Sequence, residues 1–442
     1  MFSDAYSRRR TGHRHAVILV LTILLSTALP VELLRAASSP EDNAAAPVPE
    51  ADFADIRAGI RSAPSRVADD LDHLADFLSN LASADQARAY AVFYWLSQNI
   101  AYDTNGLFTG DFGDLSPEAV LMRREAVCSG YSRLFQALAT RMGLESREVT
   151  GVAKAYDWSD GGKLGAHAWN AVRIDGRWQL IDATWGAGHL DKGNRFKRET
   201  NEFYFLAPPA QLIYTHFPED ASWQLLPQPI SERTFTDLPK LGSKYFSYGL
   251  LPPEGLNAVL TVRKRSAITI DYKAKTLVSA SLQREGLALP DNLVFVEQQS
   301  GKLKIDVLLP KTGSYVLRIF AKPVSQKGSL DQVAVFLVNA LEGAGIDAEF
   351  PKQMIDYQRF NVSNLRPMRF RLQSEGTHRF QAQVPNSADV QLVDAEGQWH
   401  PLDSIGALYQ GDLKLPRGPI KLFAAPGGHS GNFRLLATWL VD

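Results

Sequence analysis

Cysteine is all but missing from this sequence, with one in 442 residues. A single thiol excludes an internal disulfide and so any small cross-linked scaffold. Cys128, His167 and His189 show no close ligand pair of the C-x-x-C or H-x-x-x-H kind, so no metal site is expected. Neither a phosphate loop nor a dinucleotide-binding glycine fingerprint occurs, and no cofactor is expected. A surplus of one charge is lacking too. Lys and Arg number 47 against 48 Asp and Glu, so no broad field recruits nucleic acid and partners must be recognised by local surfaces.

A membrane-spanning run is also wanting. The apolar stretch from Ala16 to Leu29 falls short of the ~20 residues that cross a bilayer, yet it follows Arg8, Arg9, Arg10 and Arg14, the layout of an export signal. Residues 1–37 are therefore expected to be a signal peptide or N-terminal anchor that takes the chain to the periplasm, cell surface or medium. Residues 38–58, opening on a stretch rich in Ala, Pro and acid, are expected to form a flexible linker.

Beyond the linker, Val67, Leu71, Leu74, Leu78 and Leu81 repeat at helical spacing and predict a helix over 67–81. Ser83-Ala84-Asp85-Gln86 has capping-box form, and Tyr90, Tyr94 and Trp95 lie on the apolar face of the helix that follows, to about Asn99. A loop from Asp103 to Ser116 leads to a short helix opened by Pro117. Cys128-Ser129-Gly130 then precedes the clearest helical stripe in the chain, Tyr131, Leu134, Phe135, Leu138, Ala139 and Met142, closed by Gly143. Strands are expected near 146–152, 167–174 and 177–184, giving an α+β domain over residues 59–250. From Leu256 onward alternating strands take over. Phe320-Ala321-Lys322-Pro323 is echoed by Phe423-Ala424-Ala425-Pro426, and Leu337-Val338 by Leu440-Val441, so two successive all-β sandwich modules are expected at 255–345 and 357–442.

The lone cysteine stands where chemistry wants it. At the amino end of a helix the dipole and unpaired N–H groups lower a thiol pKa and can hold an oxyanion. Acyl transfer further needs a base within reach of the sulfur and a group that orients the base. Asp175-Gly176 between two alternating runs predicts a two-residue hairpin turn, pairing Ile174 with Arg177 and, counting back, Trp169 with Asp182. His167 then shares the face of Asp182, diagonal to it and about 7 to 8 Å away backbone to backbone.

These residues resemble a known family. Val127-Cys128-Ser129-Gly130-Tyr131, His167-Ala168-Trp169-Asn170 and Ile181-Asp182-Ala183-Thr184-Trp185-Gly186 look like the three catalytic segments of the transglutaminase-like superfamily, in particular its kyphoscoliosis-peptidase branch. The likeness extends upstream through Tyr94-Trp95-Leu96 and Asn99 to Asp103, and downstream through Phe203 to Leu206 and His216-Phe217-Pro218-Glu219-Asp220. Ala126 stands where the family commonly has Gly. The resemblance implies a papain-like, transglutaminase-like α+β domain followed by two immunoglobulin-like sandwiches. It implies Cys128 as nucleophile, His167 as general base and Asp182 as its orienting partner.

Tyr102, Trp169 and Trp185 are candidates to line the cleft, His189 a weaker one, and Trp178 lies in the same stretch. The segment from Tyr156 to Gly165 reads as a flexible loop, either a lid or an idle connection, and Asn361-Val362-Ser363 is a glycosylation-type sequon. The expected function is an exported acyl-transfer enzyme acting on peptide or glutamine amides through a thioester, with hydrolysis favoured over cross-linking. The competing reading is a non-enzymatic envelope or surface scaffold whose β modules bind a protein or glycan.

Overall fold

A computed structural model describes residues 50–442 except 156–157, 159–163, 192, 254–257, 274, 386 and 428–431. The expected export signal, the linker up to residue 49 and most of the expected lid lie outside the described residues. Among the described residues no helix is long and apolar enough to cross a membrane.

The first element among the described residues is a helix, α1 (Glu50–Arg61), where the sequence reading has linker as far as residue 58. Its apolar positions explain the difference: Ile56 and Ile60, one turn apart, are buried, and the Phe53 ring stacks on Tyr90 at 3.9 Å. Helix α2 (Leu71–Leu81) starts later than the expected 67, because the Asp70 side chain accepts the His73 N–H and sets the start; Ser65–Ala68 is a separate 3-10 turn. In α3 (Asp85–Asn99) the Ser83 capping box does not form. Ala84 is the N-cap and makes no side-chain bond, so the helix begins one residue too late for Ser83 to serve it. Helix α3 is wrapped by the rest of the domain, with Tyr90, Tyr94 and Trp95 all buried. The expected 103–116 loop contains a helical turn, Thr104–Thr109, capped by the Asp103 carboxylate.

Helix α4 (Cys128–Arg141) ends as a Schellman motif, with the Leu144 N–H on the Ala139 carbonyl and the Gly143 N–H on that of Thr140, Gly143 lying at φ +83°. Beside it runs an antiparallel sheet, β1 (Ser146–Ala153), β2 (Gly165–Ile174), β3 (Arg177–Ile181) and β4 (His216–Pro218), in spatial order β3-β2-β1-β4. Strand β3 stops at Ile181 instead of running to 184, because Asp182 caps a short helix, Ala183–Ala187.

The remaining half is two sandwiches. In the first, strands 259–262, 331–340, 313–323, 276–284 and 287–288 form one sheet and 265–271, 302–308 and 294–299 the other. In the second, strands 352–353, 434–441, 418–426, 387–393 and 399–401 lie over 363–366, 378–383, 408–413 and 403–405. The sequence echo is structural. Phe320 to Pro323 and Phe423 to Pro426 end equivalent strands, and both strands carry a register shift on entering that Phe, at Ile319/Phe320 and Leu422/Phe423.

Pairing and packing cross both expected boundaries. Lys240–Leu241 already pairs with strand 331–340, and Leu238, Leu241 and Tyr245 belong to the first sandwich core. Phe350 and Tyr357 both pack on Phe295 of the first sandwich, so the second core starts before 357. Two glutamines then cover open strand edges of the first sandwich. Gln353 accepts from the Val296 N–H and donates to its carbonyl, both at 2.8 Å, and Gln358 does the same to Val278. At the other junction the buried Lys154 ammonium, after β1, donates to the carbonyls of Phe235 and Leu238.

Candidate active site

Cys128 is the first residue of α4, preceded by Val127 as N-cap, so its sulfur sits at the positive end of a four-turn helix. Close packing holds that end. A Cβ on Gly130 would stand 2.5 Å from Ala126 Cβ and 3.0 Å from Val120 Cγ2, so the methyl of Ala126 occupies room that only a glycine at 130 leaves open. Ala126 is itself fixed by parallel pairing with Tyr102.

The base arrives on β2. Asp175 and Gly176 turn the chain at φ +49° and +79°, both positive as a tight type I′ hairpin requires. The register is Ile174 opposite Arg177 and Asn170 opposite Ile181, so the next step outward sets Trp169 level with Asp182. His167 and Asp182 meet, with Nε2 2.9 Å from Oδ2. Because Nε2 is taken, Nδ1 is the ring nitrogen left for the sulfur, and His167 and the Ala168 N–H are the groups that lower the Cys128 thiol pKa.

Asp182 is fully buried yet saturated. Oδ1 accepts the N–H groups of Thr184 and Trp185 at 2.9 and 3.0 Å, and Oδ2 accepts from His167 and from a second imidazole, His216, at 3.0 Å. Burial alone would raise its pKa, but the His167 charge and these bonds overcome it and hold the carboxyl far below its ordinary range. Burial likewise works against a charged His167, and the Asp182 charge and the bonds to Asp182 and Cys128 outweigh it, raising the imidazole to about 10. For Cys128, burial opposes ionisation and the His167 contact prevails, so the thiol lies below its ordinary value. Together these directions favour a thiolate-imidazolium pair.

Aromatic rings enclose the pair. Trp169 is buried with its ring 5.9 Å from His167, and the half-buried Trp185 lies 5.4 Å from the same ring and 4.5 Å from His216. Burial and the Cys128 and Asp182 charges raise the Tyr102 pKa, which keeps the phenol neutral. Two other candidates stand apart. His189 is exposed and faces Glu199 at 3.5 Å, and Trp178 packs on Trp223 instead of on the triad rings. His216 is the residue that sequence reasoning did not single out as part of the site, although it lies in a segment that resembles the family; no spacing rule links it to a carboxylate 34 residues earlier.

One ligand atom each from His167, Asp182 and His216 lies within 4.8 Å of the others, a donor set of the kind divalent transition metals accept. At 2.9 and 3.0 Å the two nitrogen-oxygen separations are hydrogen bonds, so a cation would have to displace both protons and widen the cluster.

Comparison with known proteins agrees with this architecture. Residues 72–183 match the transglutaminase-like superfamily and residues 232–351 the KY-like, immunoglobulin-like domain. Kyphoscoliosis peptidase from Mus musculus is 33% identical over 265 residues, covering 58% of this chain and 39% of the relative. The Homo sapiens protein of that name is 33% identical over 261 residues, covering 57% and 38%. Hillarin from Drosophila melanogaster is 28% identical over 275 residues, covering 55% and 33%. The chain thus spans under two fifths of the length of these relatives. It carries a transglutaminase-like superfamily domain followed by a KY-like, immunoglobulin-like domain.

Proposed function

We propose that this protein is a cysteine acyl-transfer enzyme acting on peptide or glutamine amide bonds. The observation that carries this reading is the buried chain of contacts from the Cys128 thiol through His167 to Asp182. In this reading the Cys128 thiolate adds to the amide carbonyl, and N–H groups at the α4 amino end stabilise the resulting oxyanion. His167 gives its proton to the departing amine, leaving a thioester on the sulfur. A water or amine then attacks the thioester, His167 takes the proton from this nucleophile, and the thiolate leaves. Enclosure of the site by Trp169 and Trp185 narrows access to the thioester; we favour water as the acceptor because of the resemblance to the kyphoscoliosis-peptidase branch.

Export through residues 1–37 belongs to the same proposal, as does recognition of an envelope protein or glycan by the β modules. A non-enzymatic scaffold is the alternative, and the two glutamine-braced sandwiches are the feature that favours it.

Because Cys128 is the single cysteine, alkylation by iodoacetamide reports on it alone. Labelling from pH 4 to 9 is expected to be fast well below pH 8.5. At pH 6, His167→Ala should slow it on the order of a hundredfold, since an ordinary thiol with pKa about 8.5 is under one per cent ionised there. Equal, slow labelling of both proteins would leave the scaffold reading.

A further inference from the structure

The catalytic reading uses one imidazole on Asp182, but the structure has two. His216 is buried on β4 and places Nε2 3.0 Å from the same Oδ2 that His167 holds at 2.9 Å. Its other nitrogen, Nδ1, lies 2.8 Å from the Thr215 hydroxyl. The charged and titratable groups facing it are Asp182 and His167, with the Tyr204 ring 6.2 Å away; Trp169 and Trp185 close the remaining sides.

Proton bookkeeping fixes what His216 does. Asp182 is anionic and only accepts, so His216 must donate at Nε2. Burial holds the imidazole down to about 4, against the pull of Asp182, so near neutral pH this is its single N–H. Nδ1 is then an acceptor facing the Thr215 hydroxyl, whose single proton it shares with the Leu212 carbonyl at 3.2 Å, so it is the Asp182 carboxylate at Nε2 that sets the tautomer. The backbone N–H groups of Thr184 and Trp185 anchor Oδ1 alone, and rotation about the carboxylate bond would swing Oδ2 away from His167. The His216 donor, reaching Oδ2 from the neighbouring strand, opposes that rotation.

We propose that His216 is a positioning residue, acting through Asp182 to keep Oδ2 aimed at His167 Nε2 and so to maintain the thiolate-imidazolium pair. This rests on the acyl-transfer reading of the site. It gives β4, which among the described residues pairs with the edge of β1 alone, a direct part in activating the thiol.

The test is the pH profile of Cys128 alkylation in the full chain, with circular dichroism confirming the fold at each pH. His216→Ala is expected to slow labelling at pH 6 at least tenfold and to move the profile towards that of an ordinary thiol. His216→Gln, whose amide N–H can take the place of Nε2–H, should recover most of that rate even where its melting temperature is lowered. A purely structural role would lower the melting temperature of both variants and leave the profile of the folded protein in place. An unchanged or faster rate in a folded His216→Ala protein, or a His216→Gln protein no better than alanine, overturns the proposal while the acyl-transfer reading stands. A wild-type thiol that labels as an ordinary one overturns both.

Discussion

Replacing Asp182 by alanine should cost about 3 to 5 kcal/mol of stability, the range found when one partner of a buried charged pair is removed, and should abolish acid-shifted labelling of Cys128. The carboxylate satisfies two backbone N–H groups and two imidazoles in a site closed to solvent, and its loss strands all four. Asp182→Asn separates charge from shape, because the amide keeps an oxygen for the backbone donors but no longer balances an imidazolium. The sign of its pH dependence follows from the shifts. The Asp182 carboxyl is depressed on folding, so its contribution is present above the unfolded value near 4 and is lost as pH falls towards the lower folded value. His167 is raised to about 10, so its contribution is complete below about 6.5 and is lost as pH rises through about 10. The stability gap between wild type and Asp182→Asn should therefore be widest between about pH 5 and 6.5 and narrow on both sides. Urea unfolding at pH 3, 6 and 10 measures it. A gap of constant size would show that Asp182 and His167 are not charged together in the folded protein.

What could be read from the sequence was whatever is encoded locally or by strict period. The Asp175-Gly176 turn fixes the β2-β3 register, and a register in a sheet decides which side chains share a face; that is why the sequence alone places His167 and Asp182 together. The α4 stripe and its Gly143 terminus were equally plain, and the Phe-Ala-x-Pro echo marked equivalent strands of the two sandwiches. Features that depend on distant partners were hidden. His216 reaches Asp182 only because β4 pairs with β1 from far along the chain, with His216 opposite Ala153 and Pro218 opposite Gly151. Gln353 and Gln358 look like ordinary surface amides until a strand edge lies opposite them. Ser83 failed for the converse reason: a strong local signal yielded where the packed α3 starts one residue later. Helix α1 is masked in the sequence by the Ala- and Pro-rich stretch before it, while Phe53, Ile56 and Ile60 need Tyr90 and the core to show their purpose.

Gly151 is where this hidden pairing is most exposed to test. A Cβ there would lie 2.2 Å from the Phe217 carbonyl oxygen, 2.8 Å from Pro218 Cα and 2.9 Å from the Trp169 ring. Two of those atoms are backbone and the third belongs to a buried ring, so none can yield as the end of a flexible side chain does. Gly151→Ala should therefore push β4 off β1, at about 1 to 3 kcal/mol or more for overpacking. Gly165→Ala on the adjoining strand is the control: its Cβ would meet Ala155 Cβ at 3.6 Å, an ordinary contact, and the change should stay within about 0.5 kcal/mol of wild type. The pair also separates packing from chemistry. If β4 matters only as part of the sheet, Gly151→Ala will lower the melting temperature and leave the Cys128 labelling profile of the folded protein alone. If β4 matters because it carries His216 to Asp182, the same methyl group, although it lies on the residue paired with His167, will shift that profile towards an ordinary cysteine in wild type and move it no further in a His216→Ala background.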